Sequence, residues 1–119
     1  MRNTRTNPDF LNGVPELLVL HLVSQVPMHG YQLVQAIKEA TGQRLEFGEG
    51  CIYPVLHRLQ AQQELASQRE QAGGRSRVVY RVTPKGRKRL AETLSNWQGI
   101  VAAVQQALQG GAHANPELA

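Results

Sequence analysis

Eight cationic side chains fall within 21 residues: Arg69, Arg75, Arg77, Arg81, Lys85, Arg87, Lys88 and Arg89, opposed by one carboxylate, Glu70. The remainder of the 119-residue chain holds five bases and eight acids, so a net charge of +4 is carried as one local block. Concentrated positive charge is the footprint of a polyanion partner. A solvated face has the same composition, so position must decide. Upstream lies a second group able to make polar and stacking contacts: Tyr53, Pro54, His57 and Arg58. Other chemistry finds little support. There is no Gly-rich phosphate loop, GxSxG element or HExxH pair, and the acids show no pairing with a nucleophile. His21, His29, His57 and His113 lack metal-ligand spacing, and the single Cys51 excludes a disulfide framework or a Cys-rich zinc site. The chain is therefore expected to be no enzyme and to need neither metal nor cofactor.

These residues need elements to position them. With 41% hydrophobic and 18% charged residues, the chain has the make-up of one globular domain. The most apolar run, Val14 to Val23, is broken by Glu16 and His21 and is shorter than the roughly 18 residues of a membrane span. With no cleavable leader pattern, a cytoplasmic location is expected. Residues 1–10 read as a flexible arm. Pro15 to Ser24 reads as a core helix, apolar nearly all round, with Pro at its first position and Pro27 beyond its end. A second helix starts near His29-Gly30-Tyr31, with Leu33, Val34, Ile37 and Ala40 at helical spacing and Gly42 as its stop. Arg44 to Phe47 alternates charged and apolar residues, which predicts a short extended segment with Leu45 and Phe47 inward. The third helix, about 50–63, buries Ile52, Leu56 and Leu59 and turns Pro54, His57 and Arg58 outward, with Tyr53 at the edge. Pro54 fits it only if the helix begins close by, so that the missing N–H falls in or just past the first turn.

A hairpin signal follows over 65–82, with Gly73-Gly74 at its turn, Val78, Tyr80 and Val82 on one face, and Arg75 and Arg77 in the loop. Thr83-Pro84 then opens a long helix over 84–109, with Thr as N-cap. Along it Leu90, Leu94, Trp97, Val101, Val104 and Leu108 recur at spacings of four and three, a heptad seam that packs against another helix. Gly110-Gly111 is expected to end that helix and 110–119 to be a disordered tail.

The order predicts a mainly α protein with a small β-hairpin wing (α+β): a winged helix-turn-helix over 11–83 followed by a long C-terminal helix. In such modules the second helix of the pair enters the major groove and the wing meets phosphates or the adjacent minor groove. The cationic block therefore falls on the elements that need it. The chain also resembles the PadR-type transcriptional regulators. The resemblance rests on Gly13-Val14-Pro15-Glu16-Leu17-Leu18-Val19-Leu20, on Met28-His29-Gly30-Tyr31-Gln32-Leu33, and on Gly50-Cys51-Ile52-Tyr53-Pro54-Val55-Leu56-His57-Arg58-Leu59. It continues through Gly74-Arg75-Ser76-Arg77-Val78-Val79-Tyr80-Arg81-Val82-Thr83-Pro84-Lys85-Gly86 and Leu90 to Trp97. It spans about residues 12 to 108 and departs at one place: the family turns on Gly after the third helix, where this chain has Gln62-Gln63-Glu64.

The resemblance implies a homodimeric repressor of double-stranded DNA whose C-terminal helix forms the dimer, as in the family's shorter subgroup. It also implies that small aromatic effectors can bind at the dimer interface near Trp97, whose other role is seam packing. Tyr53, Pro54 and His57 are expected at the DNA, against the alternative that Tyr53 packs on the wing and His57 is merely solvated. Arg58 is open between DNA and an acid of its own domain. Arg75 and Arg77 are candidates for phosphate or minor-groove contact, while Lys85, Arg87, Lys88 and Arg89 are weaker ones that could equally decorate the solvent side of the last helix. Cys51, near a helix start, is either a dipole-activated thiol or an inert small residue. A protein-interaction module built on the heptad helix is the competing function. An RNA or non-specific nucleic acid binder and a membrane-surface helix are weaker ones.

Overall fold

A computed structural model describes residues 13–114; the expected arm and the last five residues of the expected tail lie outside that range. The elements run α1 (Val14–Gln25), β1 (Met28–His29), α2 (Gly30–Ala40), α3 (Glu49–Ala61), β2 (Leu65–Ala72), β3 (Arg75–Val82) and α4 (Pro84–Ala114). Helix α1 buries residues on most of its circumference, including Val19, Leu20, Leu22 and Val23, as its nearly unbroken apolar composition requires. Helices α2 and α3 pack on it through Leu33, Val34 and Ile37 and through Ile52, Val55, Leu56 and Leu59. Ala40 is exposed, and Ala36 packs against the core in its place.

The strands form an antiparallel sheet of order β1-β3-β2. Its hairpin closes on Gly73 and Gly74, with φ of 58° and 78°, between the paired Ala72 and Arg75. Two successive positive φ values match the right-handed strand twist, and glycine adopts them without a Cβ clash. Both strands run to the turn, so Arg75 and Arg77 belong to β3 and not to the loop. The third strand is also misplaced in the sequence reading. Residues 44–47 form no strand; Met28–His29, in the link between α1 and α2, takes the edge of β3. Phe47 is nevertheless fully buried and Leu45 packs against the core. The amide of Leu45 donates to Thr41 Oγ1 (3.1 Å), so the segment is held by the end of α2 instead of by a ladder.

Helices α2 and α3 end in the same way. Gln43 N–H donates to Lys38 O and Gly42 N–H to Glu39 O; Glu64 N–H donates to Leu59 O and Gln63 N–H to Gln60 O. Both are Schellman endings, with Gly42 (φ 62°) left-handed in one, where Gln43 (φ 68°) follows in the same region, and Gln63 (φ 65°) in the other. The turn after α3 thus keeps a glycine geometry without a glycine. Around it α4 is clamped: Thr83 N–H donates to Glu64 O, Thr83 Oγ1 to Gln63 O and Lys85 Nζ to Gln62 O. Buried Glu64 accepts from Arg89 Nη1 at 3.0 Å. Helix α4 continues through Gly110 and Gly111 to Ala114 instead of stopping at the glycines. Glycine weakens a helix by about 1 kcal/mol per residue but has no clash that terminates it.

Candidate nucleic-acid interface

The site is assembled where α3 faces the wing. The Gly48 cap and Glu49 start make Pro54 the sixth residue of α3, so the amide it lacks would have met the carbonyl of Gly50, an exposed residue. The helix therefore tolerates the proline and displays it. Pro54, His57 and Arg58 are exposed, while Tyr53 is half-buried. His29, Gly30, Tyr53, His57, Ser76, Arg77, Val78 and Tyr80 line a cleft of roughly 360 Å³ between recognition helix and wing. The Tyr53 and His57 rings stand 6.4 Å apart at 50°. Tyr53 also has a structural task, because its ring occupies the space over Gly30; a Cβ there would lie 2.5 Å from it. Burial, and then the nearby Tyr53, push the Tyr80 hydroxyl above its ordinary pKa. Tyr53 is thus packed at the base of the wing, and one edge of a shared cleft is left to it.

Arg77 reaches the same cleft with Nη1 3.1 Å from His29 Nε2, and exposed Arg75 stands beside the turn. The other cations divide. Arg58 is ion-paired with Glu16 of α1, away from the cleft, which is the intradomain alternative for that residue. Arg81 lies 3.7 Å from Glu70, and Arg69 donates to Ser76 Oγ at 3.0 Å. Lys85 and Arg89 hold the α3–α4 junction, whereas Arg87 and Lys88 are exposed. Cys51 is not an activated thiol. Burial and then the Glu16 carboxylate raise its pKa, and Arg58 only partly opposes them.

Along α4 the heptad seam splits. Leu90, partly buried, packs against the core of its own chain. Leu94, Trp97, Val104 and Leu108 are exposed to between 38% and 77%, and Val101 is half-buried. Ile100, 57% exposed, belongs beside Trp97 and Val104 at i+3 and i−4 and is absent from the seam read off the sequence. His29 was likewise unassigned. Its N-cap role is legible from Gln32 three residues on, but its approach to Arg77 is not. Among the described residues, no group of three or more His, Cys, Asp and Glu is placed to hold a metal ion, and no helix is long and apolar enough to cross a membrane.

A helix pair whose second member faces outward beside a cationic two-stranded wing defines a winged-helix DNA-binding protein. Residues 19–92 match the Transcriptional regulator PadR-like family. A transcriptional regulator of Mycobacterium tuberculosis is 38% identical over 84 residues, covering 71% of this chain and 76% of its own. The transcriptional regulator YqjI of Escherichia coli is 31% identical over 110 residues, 92% of this chain and 52% of that protein. Among solved structures, the PadR family transcriptional regulator of Eggerthella lenta superposes with a TM-score of 0.74 at 28% identity, covering 85% of this chain and 87% of that one. A PadR-like transcriptional regulator of Bacillus cereus gives a TM-score of 0.74 at 29% identity, with coverage of 85% and 97%. The chain belongs to the PadR-like family: it is a DNA-binding transcriptional regulator and not an enzyme.

Proposed function

We propose that the protein is a homodimeric repressor that binds a pseudo-palindromic operator through two copies of the cleft. The observation that carries this reading is the pairing of an outward α3 face beside exposed Arg75 and Arg77 of the wing with an apolar stripe on α4 that is exposed within one chain. In the complex α3 enters the major groove, with Pro54, His57 and the free edge of Tyr53 toward base edges and backbone. Arg75 and Arg77 take phosphates or the minor groove. Arg58 would have to leave Glu16 to contribute and is better viewed as holding α3 on α1.

Helix α4 spans about 46 Å at 1.5 Å per residue, long enough to carry several heptads of a helix–helix interface. Ile100, Val104 and Leu108 are more than half exposed within one chain, and a second copy would cover them. A two-fold axis through that interface sets two recognition helices over half-sites about 10 base pairs apart, or a multiple of that. A flat aromatic effector between the two Trp97 rings would release the operator by favouring a different spacing of the wings, which requires unequal affinity for the two spacings.

Fluorescence anisotropy with duplex from upstream of the protein's own gene tests the reading, with a scrambled duplex of equal length at two salt concentrations. Preference for the upstream duplex by a protein that sediments as a dimer is the expected result. A stable dimer with no affinity for either duplex would favour the protein-interaction role of α4 instead. Because Trp97 is the sole tryptophan, its emission reports directly on the effector site. An emission spectrum unchanged by a panel of planar aromatics would remove that part of the proposal.

A further inference from the structure

The imidazole of His29 is asked for two lone pairs. As N-cap of α2, its Nδ1 faces the Gln32 amide at 3.3 Å, while Gln32 Oε1 accepts from the His29 amide at 3.0 Å. Its Nε2 faces the Arg77 guanidinium at 3.1 Å. A neutral imidazole has one acceptor nitrogen and one N–H, so it accepts from either Gln32 or Arg77 and turns its own N–H toward the other donor. Two donors thus converge across the mouth of the cleft, and the group that would satisfy both is an anion. The one carboxylate lining the recess that His29 and Arg77 share is Glu70 of β2, which stands opposite Arg77 in the β2–β3 ladder and is ion-paired with Arg81 of β3 at 3.7 Å. From α3 the cleft receives Tyr53 and His57, and from β3 Tyr80, none of them a carboxylate.

We propose that His29 is a DNA-backbone contact of this regulator, closing with Arg77 on one phosphate and taking up a proton as it does so. This rests on the DNA-binding reading given above. In the free protein burial, and then Arg77, hold the His29 pKa below its ordinary value, so near neutral pH the ring is uncharged. A phosphate seated between Nε2 and the guanidinium offsets that repulsion and stabilises the charged ring electrostatically, against the loss of the Nδ1 acceptor that caps α2. The pKa is then higher in the complex than in the free protein, and the complex binds the extra proton. Affinity therefore rises as pH falls through the interval between the two pKa values, and is flat above and below it.

Wild type, His29→Asn and His57→Gln are compared by anisotropy on a mixed-sequence duplex of about 25 base pairs, since a phosphate contact is independent of sequence. Ionic strength is held constant from about pH 5.5 to 8, across the histidine range. Asparagine retains an N-cap acceptor, and circular-dichroism melts confirm that each variant is folded. Wild type should bind up to about tenfold tighter per engaged cleft for each pH unit lowered within the interval, and so up to about a hundredfold for a dimer seated through both, the limit of one proton per protomer. His29→Asn should flatten that profile while His57→Gln keeps it. A flat wild-type profile, an undiminished slope in His29→Asn, or a slope lost only in His57→Gln overturns the proposal. Failure of the wild type to bind duplex at any pH would instead overturn the DNA reading itself, and the two failures are separable on one titration series.

Discussion

Substitution of Gly86 by Ala separates a local argument from a tertiary one. Gly86 is the third residue of α4, in a helix where alanine is ordinarily favoured by about 1 kcal/mol over glycine. A Cβ at that position, however, would lie 2.0 Å from the carbonyl oxygen of Glu64 and 2.8 Å from Val82 Cγ2, well inside the 3.0 Å that real Cβ atoms keep. The oxygen is backbone at the end of α3 and cannot rotate away, so the first turn of α4 must retreat by about 1 Å. That retreat pulls on the bonds from Thr83 N–H to Glu64 O (3.2 Å) and from Lys85 Nζ to Gln62 O (2.8 Å), and on the pair of Arg89 with Glu64 at 3.0 Å. Losing the first two costs about 1 kcal/mol each, and loosening the buried carboxylate about 2 kcal/mol. Set against the propensity gain, Gly86→Ala should destabilise by about 3 kcal/mol. Gly99, with nothing within 4 Å of its Cβ position, supplies the control: Gly99→Ala should stabilise by up to about 1 kcal/mol. Urea titrations followed by circular dichroism, at one protein concentration because dimerisation contributes, measure both. Equal stability of the two alanine variants would refute the close packing of α4 on the end of α3.

The ending of α3 gives a change of opposite sign: Gln63→Gly should stabilise by about 0.5 kcal/mol. Relief of the left-handed strain at φ 65° is worth about 1–2 kcal/mol, and added freedom of the unfolded chain takes back about 0.4–1 kcal/mol; a lower calorimetric Tm would contradict it. Arg75→Ala and Arg77→Ala should each weaken binding to operator and unrelated duplex alike and reduce the slope of log K against log salt by about 1. Loss confined to the operator would instead make them base readers. Ile100→Asp should shift the sedimenting species from dimer to monomer, and an unaltered dimer would clear the α4 stripe of that role. Finally, because burial and Glu16 raise the Cys51 pKa, less thiolate is present at a given pH, and iodoacetamide at about pH 8 should label it more slowly than free cysteine. Labelling at the free rate or above would restore the activated thiol.

Much of this molecule is written in local pattern. The apolar run of α1, the Gly73-Gly74 turn between the wing strands, the Thr83-Pro84 start of α4 and its heptad spacing each depend on residues near one another in the chain. Backbone preference and periodicity dictate them without reference to the rest of the fold. The cationic block and the exposed flank of α3 follow from the same periodicity. The choice of Met28–His29 over residues 44–47 as the third strand does not, since any short extended segment can pair with an edge and only the path of the chain brings one there. Folding also sorted the cations: Arg58 went to Glu16, Arg81 to Glu70 and Arg89 to Glu64, each an acid that charge counting cannot choose among. It packed Leu90, at the start of the heptad seam, against the core of its own chain. It brought His29 within 3.1 Å of Arg77, 48 positions away, where two donors contend for one ring. Sequence pattern records which groups lie within a few residues of each other, whereas ion pairing, burial and pKa depend on distances through space.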